Sequence, residues 1–374
     1  GLQTMQFYNV SIDPRDPLKR LIGGLQDNGT IWQDGLAESR VWRPFFAAGD
    51  GTSASGFHPT RAEVGFASFQ SNSYFVNFRN GDQARWNRIG DPITAAGERA
   101  TITASTGRQF MTFDRVNPDT QFTAFQHVWR TQNNGGDQTF LEANCRTSGS
   151  VAGAVCGDWR PLGVAYPFTA GSSPDAASRQ PGDLTSSFYG NDRAGGLIVA
   201  AERSASDAGT LWAATSFGRV FVSKNADGPA AGVTFNRVDT LSMPNRFVTR
   251  IVADPANQNA AFISYSGFSA ITPATPGHIF RVAYDPATNS TTVTSSDFDL
   301  GDLPVNTLAY DPVRRNLYAG TDFGPLVLKA GTSRWVLAGR GFPEVVMVDL
   351  EISTDSGVLV AATHGMGIYW LNLR

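Results

Sequence analysis

Seven short corners recur along this 374-residue chain, and they narrow its fold more than any other feature. They read Gln26–Thr30 (QDNGT), Gln70–Tyr74 (QSNSY), Gln126–Arg130 (QHVWR), Thr215–Arg219 (TSFGR), Tyr265–Ser269 (YSGFS), Thr321–Pro325 (TDFGP) and Thr363–Gly367 (THGMG). Most lie roughly 40–55 residues apart, the period of a four-stranded repeat. Comparing Phe7–Gly49 with Val305–Gly339 shows the whole unit. A strand ending in Asp-Pro is followed by a turn, a second strand, the corner, a third strand, and a fourth containing an aromatic. The fourth strand recurs as Trp86–Gly90, Trp159–Gly163, Phe235–Asp239 and Trp335–Gly339. Apolar and polar residues alternate at period two, which marks half-buried strands, and no stretch shows a capped 3.6-residue period. Such a unit cannot bury its own faces. It needs a neighbour on each side, and a closed ring supplies one to every unit. The expected fold is therefore all-β: a seven-bladed β-propeller of four-stranded antiparallel blades, with residues 1–374 forming a single domain.

Composition fits this picture and excludes several functions. Charged residues make up 17% and the formal net charge is −3, so no basic field exists to hold a nucleic acid. No apolar run is long enough to span a membrane as a helix. Basic residues are nearly all Arg; the lysines are Lys19, Lys224 and Lys329, a skew that fits a GC-rich bacterial genome. Cys145 and Cys156 lie in a Gly/Ser/Ala-rich stretch with no further cysteine and no nearby histidine. A local disulfide is the expected pairing, two free thiols the alternative. The disulfide implies an oxidising compartment: secreted, periplasmic or at the cell surface.

The chain begins at Gly1, and Gly1–Thr4 (GLQT), just before the first inner strand near Phe7, read as the tail of a preceding fourth strand. The last blade supplies Val345–Thr354, Val358–Thr363 and Gly367–Leu373, and its fourth strand should come from the N-terminus. Two readings stay open: the chain is the C-terminal part of a longer polypeptide, or the last blade is shallow.

Several of these pieces resemble the BNR/Asp-box propellers, a group that includes sortilin-type (Vps10) domains and two-propeller xyloglucanases. The matching residues are Gly23–Thr30 (GGLQDNGT), the pairs Asp13-Pro14, Asp254-Pro255 and Asp311-Pro312, Leu317–Gly324 (LYAGTDFG) and Ala362–Tyr369 (ATHGMGIY). The Asp boxes are degenerate at Asn80–Trp86, Asn225–Gly228 and Ala330–Trp335, where only the turn and part of the pattern remain. The resemblance implies that such boxes are structural turns. It also implies that a xyloglucanase-like activity would place its cleft between two propellers.

In such blades the corners and the connections between blades share one rim of the ring. That rim carries the candidate binding residues Asp27, Asn28, Asn72, His127, Trp129, Phe217, Phe268, Asp322, Phe323 and His364. Aromatics mixed with amides suit a glycan or a peptide. The plain alternatives are a tight Asn28-Gly29 turn, Phe217 and Phe323 packed between blades, and a structural His364. Two insertions exceed the repeat. Val164–Gly195 would form a long loop on the corner-bearing rim, a lid or partner-contacting arm. Asn133–Asp158, holding both cysteines, would project from the opposite rim.

Enzymatic signatures are sparse. A glycoside hydrolase needs two carboxylates across a cleft, and Asp27, Asp50 and Asp322 are the rim candidates. Only Arg130 and Arg219 stand at corners where a sialidase would need several arginines. No Gly-x-Ser-x-Gly elbow occurs, and His58, His127, His278 and His364 are scattered, so no catalytic residue, metal site or cofactor is expected. Asp27-Asn28-Gly29 lacks the further carboxylates of a calcium loop. The expected function is a secreted, non-catalytic β-propeller that binds protein or polysaccharide or serves in assembly. The alternatives are a glycoside hydrolase acting on β-glucans and a self-assembling subunit of a filament or surface layer.

Overall fold

A computed structural model describes residues 4–33, 35, 41–47, 54–69, 73–98, 110–170 and 180–374. Its strands pair in chain order into seven antiparallel sheets. The first blade comprises Ser11–Ile12, Leu21–Leu25, Gly29–Trp32 and Arg43–Phe46. The second comprises Gly56–Phe57, Gly65–Phe69, Ser73–Asn77 and Trp86–Arg88. Thr112–Phe113, Gln121–Ala124, Val128–Thr131 and Arg160–Pro161 make the third. Ile198–Arg203, Leu211–Thr215, Val220–Ser223 and Asn236–Arg237 make the fourth. The fifth follows with Val248–Ala253, Ala260–Tyr265, Ile279–Asp285 and Ser290–Ser295. The sixth has Val305–Asp311, Asn316–Thr321, Gly324–Leu328 and Trp335–Leu337. Met347–Ser353, Val358–Thr363 and Ile368–Asn372 form the seventh, with three strands among the described residues. Gly1–Gln3, expected at the tail of its fourth strand, lie outside the described residues. The chain is thus a seven-bladed propeller, as the repeated corners predict.

First strands of neighbouring blades pack directly on one another and line the bore. Second strands are sandwiched on both faces, so they read as continuous small and apolar runs (LWAAT, VLVAAT) with every residue buried. Where blades converge the space is tight. A Cβ at Gly320 would sit 2.6 Å from Thr307 Cγ2 and 2.9 Å from Met347 Cβ, so the sixth and seventh blades approach closely only because this residue has no side chain.

The Asp-Pro endings are turn locks. Asp311 Oδ1 accepts from the backbone N–H of Val313 (2.9 Å) and Arg314 (3.2 Å), and Asp254 and Asp13 repeat this with Ala256 and Arg15. Proline after the aspartate pre-sets the backbone for the same turn. Ring closure is made by the segment before the first strand. Phe7 N–H donates to the Thr363 carbonyl (3.3 Å) and Gly367 N–H to that of Met5 (3.2 Å). Lower down, Asp349 and Glu351 accept from the Val10 and Ile12 amides at 3.1 and 2.8 Å, which stitches the seventh blade to the first.

Cys145 and Cys156 form the expected disulfide. The segment that holds it does not stand clear of the ring. Its helix Gln138–Asn144 leads into Cys145, whose carbonyl accepts from Arg88 N–H, while Thr147 N–H donates to the Trp86 carbonyl. Both half-cystines are fully buried with Ile89, Ile93 and Leu141, so the insertion covers the outer edge of the second blade. Covering an edge strand satisfies its unpaired backbone groups, which is why the stapled segment folds back.

Candidate functional site

The corner rim divides into two unlike halves. In the sixth blade, Thr321 Oγ1 accepts from Phe323 N–H (3.1 Å) and donates to the Gly324 carbonyl (2.7 Å). The seventh repeats this through Thr363, with Met366 N–H and the Gly367 carbonyl as partners at 3.0 and 2.7 Å. In the fourth, Thr215 Oγ1 accepts from Arg219 N–H. The threonine therefore satisfies the corner backbone, and Gly218, Gly324 and Gly367 supply its positive φ. Nothing in this geometry requires an apolar residue at the tip. Yet Phe217, Phe268, Phe323 and Met366 stand there exposed, Phe268 by 52% and Phe323 by 64%. Ile271 beside Phe268, and Phe188, Leu241 and Phe298 from connections between blades, are exposed on the same rim. Phe217 and Phe323 do not pack between blades.

Corners of the first three blades look different. Asn28 Nδ2 donates to the Gln26 carbonyl (3.0 Å), while Asp27 and Gly29 take positive φ, a tight polar turn. Asn72 and Asp50 lie outside the described residues. His127 and Trp129 are buried, and Trp129 sits within a strand rather than at the corner tip. Both donate to or contact Glu98: His127 Nδ1 at 2.7 Å and Trp129 Nε1 at 3.1 Å, with Gln126 N–H on the other oxygen at 2.9 Å. Phe168 covers both rings, at 4.7 Å from His127 and 5.9 Å from Trp129. His364 and Gln6 touch across the ring closure, and Asp322 accepts from Asn306 Nδ2 at 2.9 Å. The structure thus brings Phe217, Phe268, Phe323 and His364 to the exposed rim, and places His127 and Trp129 beneath it.

Residues 180–195 of the long loop are held against that rim. Arg219 is fully buried and donates five hydrogen bonds to backbone carbonyls of Leu184, Ser186, Gly190 and Asp192. Burial, then the nearby Arg237, lowers the Arg219 guanidinium to about 10, against the pull of Asp192, Asp239 and Asp183. Arg237 binds Asp192 and Asp239, and Arg193 reaches Asp239 (2.8 Å) and the carbonyl of Met243. This framework fixes the stretch that presents Phe188. Arg130 donates to the Ala226 carbonyl. Both corner arginines are thus engaged with backbone and neither waits for a substrate carboxylate.

The bore holds a second set of charges, away from the rim. A cavity of about 400 Å³ runs between the first strands of blades one to five and seven, and extends to the mouth opposite the corners, where Pro14, Thr60 and Asp355 line it. Arg115 Nη2 donates to Glu351 Oε1 at 2.9 Å, and Arg250 Nη1 lies 3.5 Å from Asp349 Oδ1. Arg250 is enclosed by the ring, yet its side chain keeps 40% exposure along the bore. Burial pushes Glu351 up to about 7, with Arg115 and the Ile12 amide opposing. Burial also raises Glu202, against Arg250 and Arg115. These residues were missed in the sequence, although Glu202, Arg250, Asp349 and Glu351 interrupt otherwise apolar first strands (VAAER, VTRIVA, MVDLEIS). Among the described residues no group of three metal-ligating side chains occurs, and no helix is long and apolar enough to cross a membrane.

No family model matches the chain, and no curated protein does. The resemblance to BNR/Asp-box propellers rests on the residues quoted above alone, and no comparison shows that family. Among solved structures, the chain is similar to the β-propeller domain of Cps50 (Swd1) from Myceliophteria thermophila, at 11% identity and a TM-score of 0.60. The match covers 99% of this chain and 97% of that one. At that identity the likeness speaks for the fold alone, and it agrees with the seven-bladed ring.

Proposed function

We propose that this protein is a secreted, non-catalytic docking module whose partner is a protein seated on the corner rim of blades four to seven. The observation that carries this reading is the arc of exposed phenylalanines at corners whose backbone needs no apolar residue. Burying one such side chain at an interface is worth roughly 1.5–3 kcal/mol, and large apolar side chains gathered on one rim suit an interaction surface. The stretch 180–195, held by buried Arg219, extends that surface as a partner-contacting arm. A propeller of this class is consistent with protein binding or assembly. The disulfide supports an oxidising compartment. A glycan partner draws less support, because His127 and Trp129, two of the rings a sugar would stack on, are buried.

Photo-crosslinking tests the reading. A benzophenone amino acid replaces Phe268 or Phe323 on the rim, or Val313, equally exposed at the opposite end of the ring. Rim probes should trap one protein partner in the native milieu and the Val313 probe should not. Equal trapping from both ends would sink the proposal. So would β-glucan hydrolysis by the purified protein that is lost on Asp27→Ala or Asp322→Ala, which would restore the glycosidase alternative.

A further inference from the structure

The bore charges do more than close the ring. Asp349 and Glu351 are committed to the amides of the first blade, as described above. Glu202 is not. It projects from the fourth blade among Arg115 of the third, Arg250 of the fifth and the cavity, and among the described residues its carboxylate makes no hydrogen bond and no ion pair. Arg250 is likewise under-used. Its single side-chain contact is the long one to Asp349, and it lines the same cavity as Glu202, near enough for the two charges to attract. A carboxylate with no direct partner and a guanidinium with one long contact, both lining the same cavity, leave two opposite charges open to a ligand. Both favour a ligand that offers a cation to one and an anion to the other. The lining is mixed: Phe57, Met111 and Phe113 supply apolar groups to the same cavity beside polar ones such as Asn9 and Thr249. Its volume suits a small molecule.

We propose that the bore is a binding site for a free α-amino acid with an apolar side chain, its ammonium on Glu202, its carboxylate on Arg250, and its side chain against Phe57 and Phe113. Burial favours the protonated, uncharged form of Glu202, and an ammonium beside it would restore the charged one. The site lies away from the corner rim, so it stands or falls independently of the docking surface.

The test is calorimetric titration of the full chain with leucine, and with its two halves, isopentylamine and 4-methylpentanoate. Leucine should bind saturably at one site with a dissociation constant below about 1 mM, and each half should bind at least about tenfold more weakly. Glu202→Gln and Arg250→Gln should each weaken leucine by about tenfold or more, with melting temperatures confirming the fold. No saturable binding of leucine to the wild-type protein would overturn the proposal without recourse to any variant. The bore would then be a water-filled channel with structural ion pairs. Binding that survives Glu202→Gln unchanged would overturn it equally.

Discussion

A guanidinium shielded from water has to satisfy its donors within the protein, and Arg219 does so on a single stretch of backbone. Replacing it by methionine keeps the volume but leaves those carbonyls without a donor, at a cost of roughly 3 kcal/mol. Denaturant unfolding should register that loss, and amide exchange in 184–192 should accelerate while the blades stay protected. Uniform acceleration would mean that Arg219 supports the ring rather than the arm. Glu351 carries a second residue-level consequence. Burial lifts it to about 7 from the ordinary 4.5, so between those pH values the folded chain holds a proton that the unfolded chain has lost. Stability should therefore fall as pH rises from about 4.5 to about 7 and level off above, by at most about 3 kcal/mol. Glu351→Gln keeps an acceptor for the Ile12 amide and removes the titration, so its stability should be flatter across that window. An unchanged slope in the variant would remove Glu351 as its source.

At the level of elements, the disulfide and the corners show what could and could not be read from residue order. The pairing of Cys145 with Cys156 was legible, because few residues separate them and no metal set competes. Where the staple goes was not. Its docking on the outer strand of the second blade depends on Arg88 and Asp91 amides finding the Cys145 and Cys156 carbonyls, contacts made across about sixty residues of chain. Closing so short a loop stabilises by about 2.5–3 kcal/mol on chain-entropy grounds. Cys145→Ser with Cys156→Ser should lose about that much in unfolding free energy and speed exchange at the Arg88 and Asp91 amides. If exchange at the second blade is unaffected, the staple holds only its own loop. The corners tell a similar story. Their recurrence was visible in TSFGR, TDFGP and THGMG, whereas the locking role of their threonine emerged only from its hydrogen bonds. Whether a Phe points between blades or into solvent depends on turn geometry that period-two alternation does not encode. The burial of His127 and Trp129 beneath Phe168 needed the long loop to fold back, which no local pattern announces. The bore charges were legible in principle, as charges that interrupt apolar first strands.

Considered whole, the ring has two ends of different character. One end presents an apolar arc over four consecutive blades and an arm fixed by buried arginines. The other opens on a charged bore. A rigid ring suits the first role, since docking on preformed corners loses little conformational freedom. The most direct measurement is the affinity of the partner trapped by the rim probes, titrated against three forms of the chain. For Phe268→Ser combined with Phe323→Ser, the account predicts an unchanged melting temperature and binding weakened about a hundredfold or more, as expected for two central aromatic anchors. For Val313→Ser it predicts wild-type affinity. Undiminished binding by the double variant, or an equal loss in Val313→Ser, would contradict the assignment of the corner rim as the docking surface.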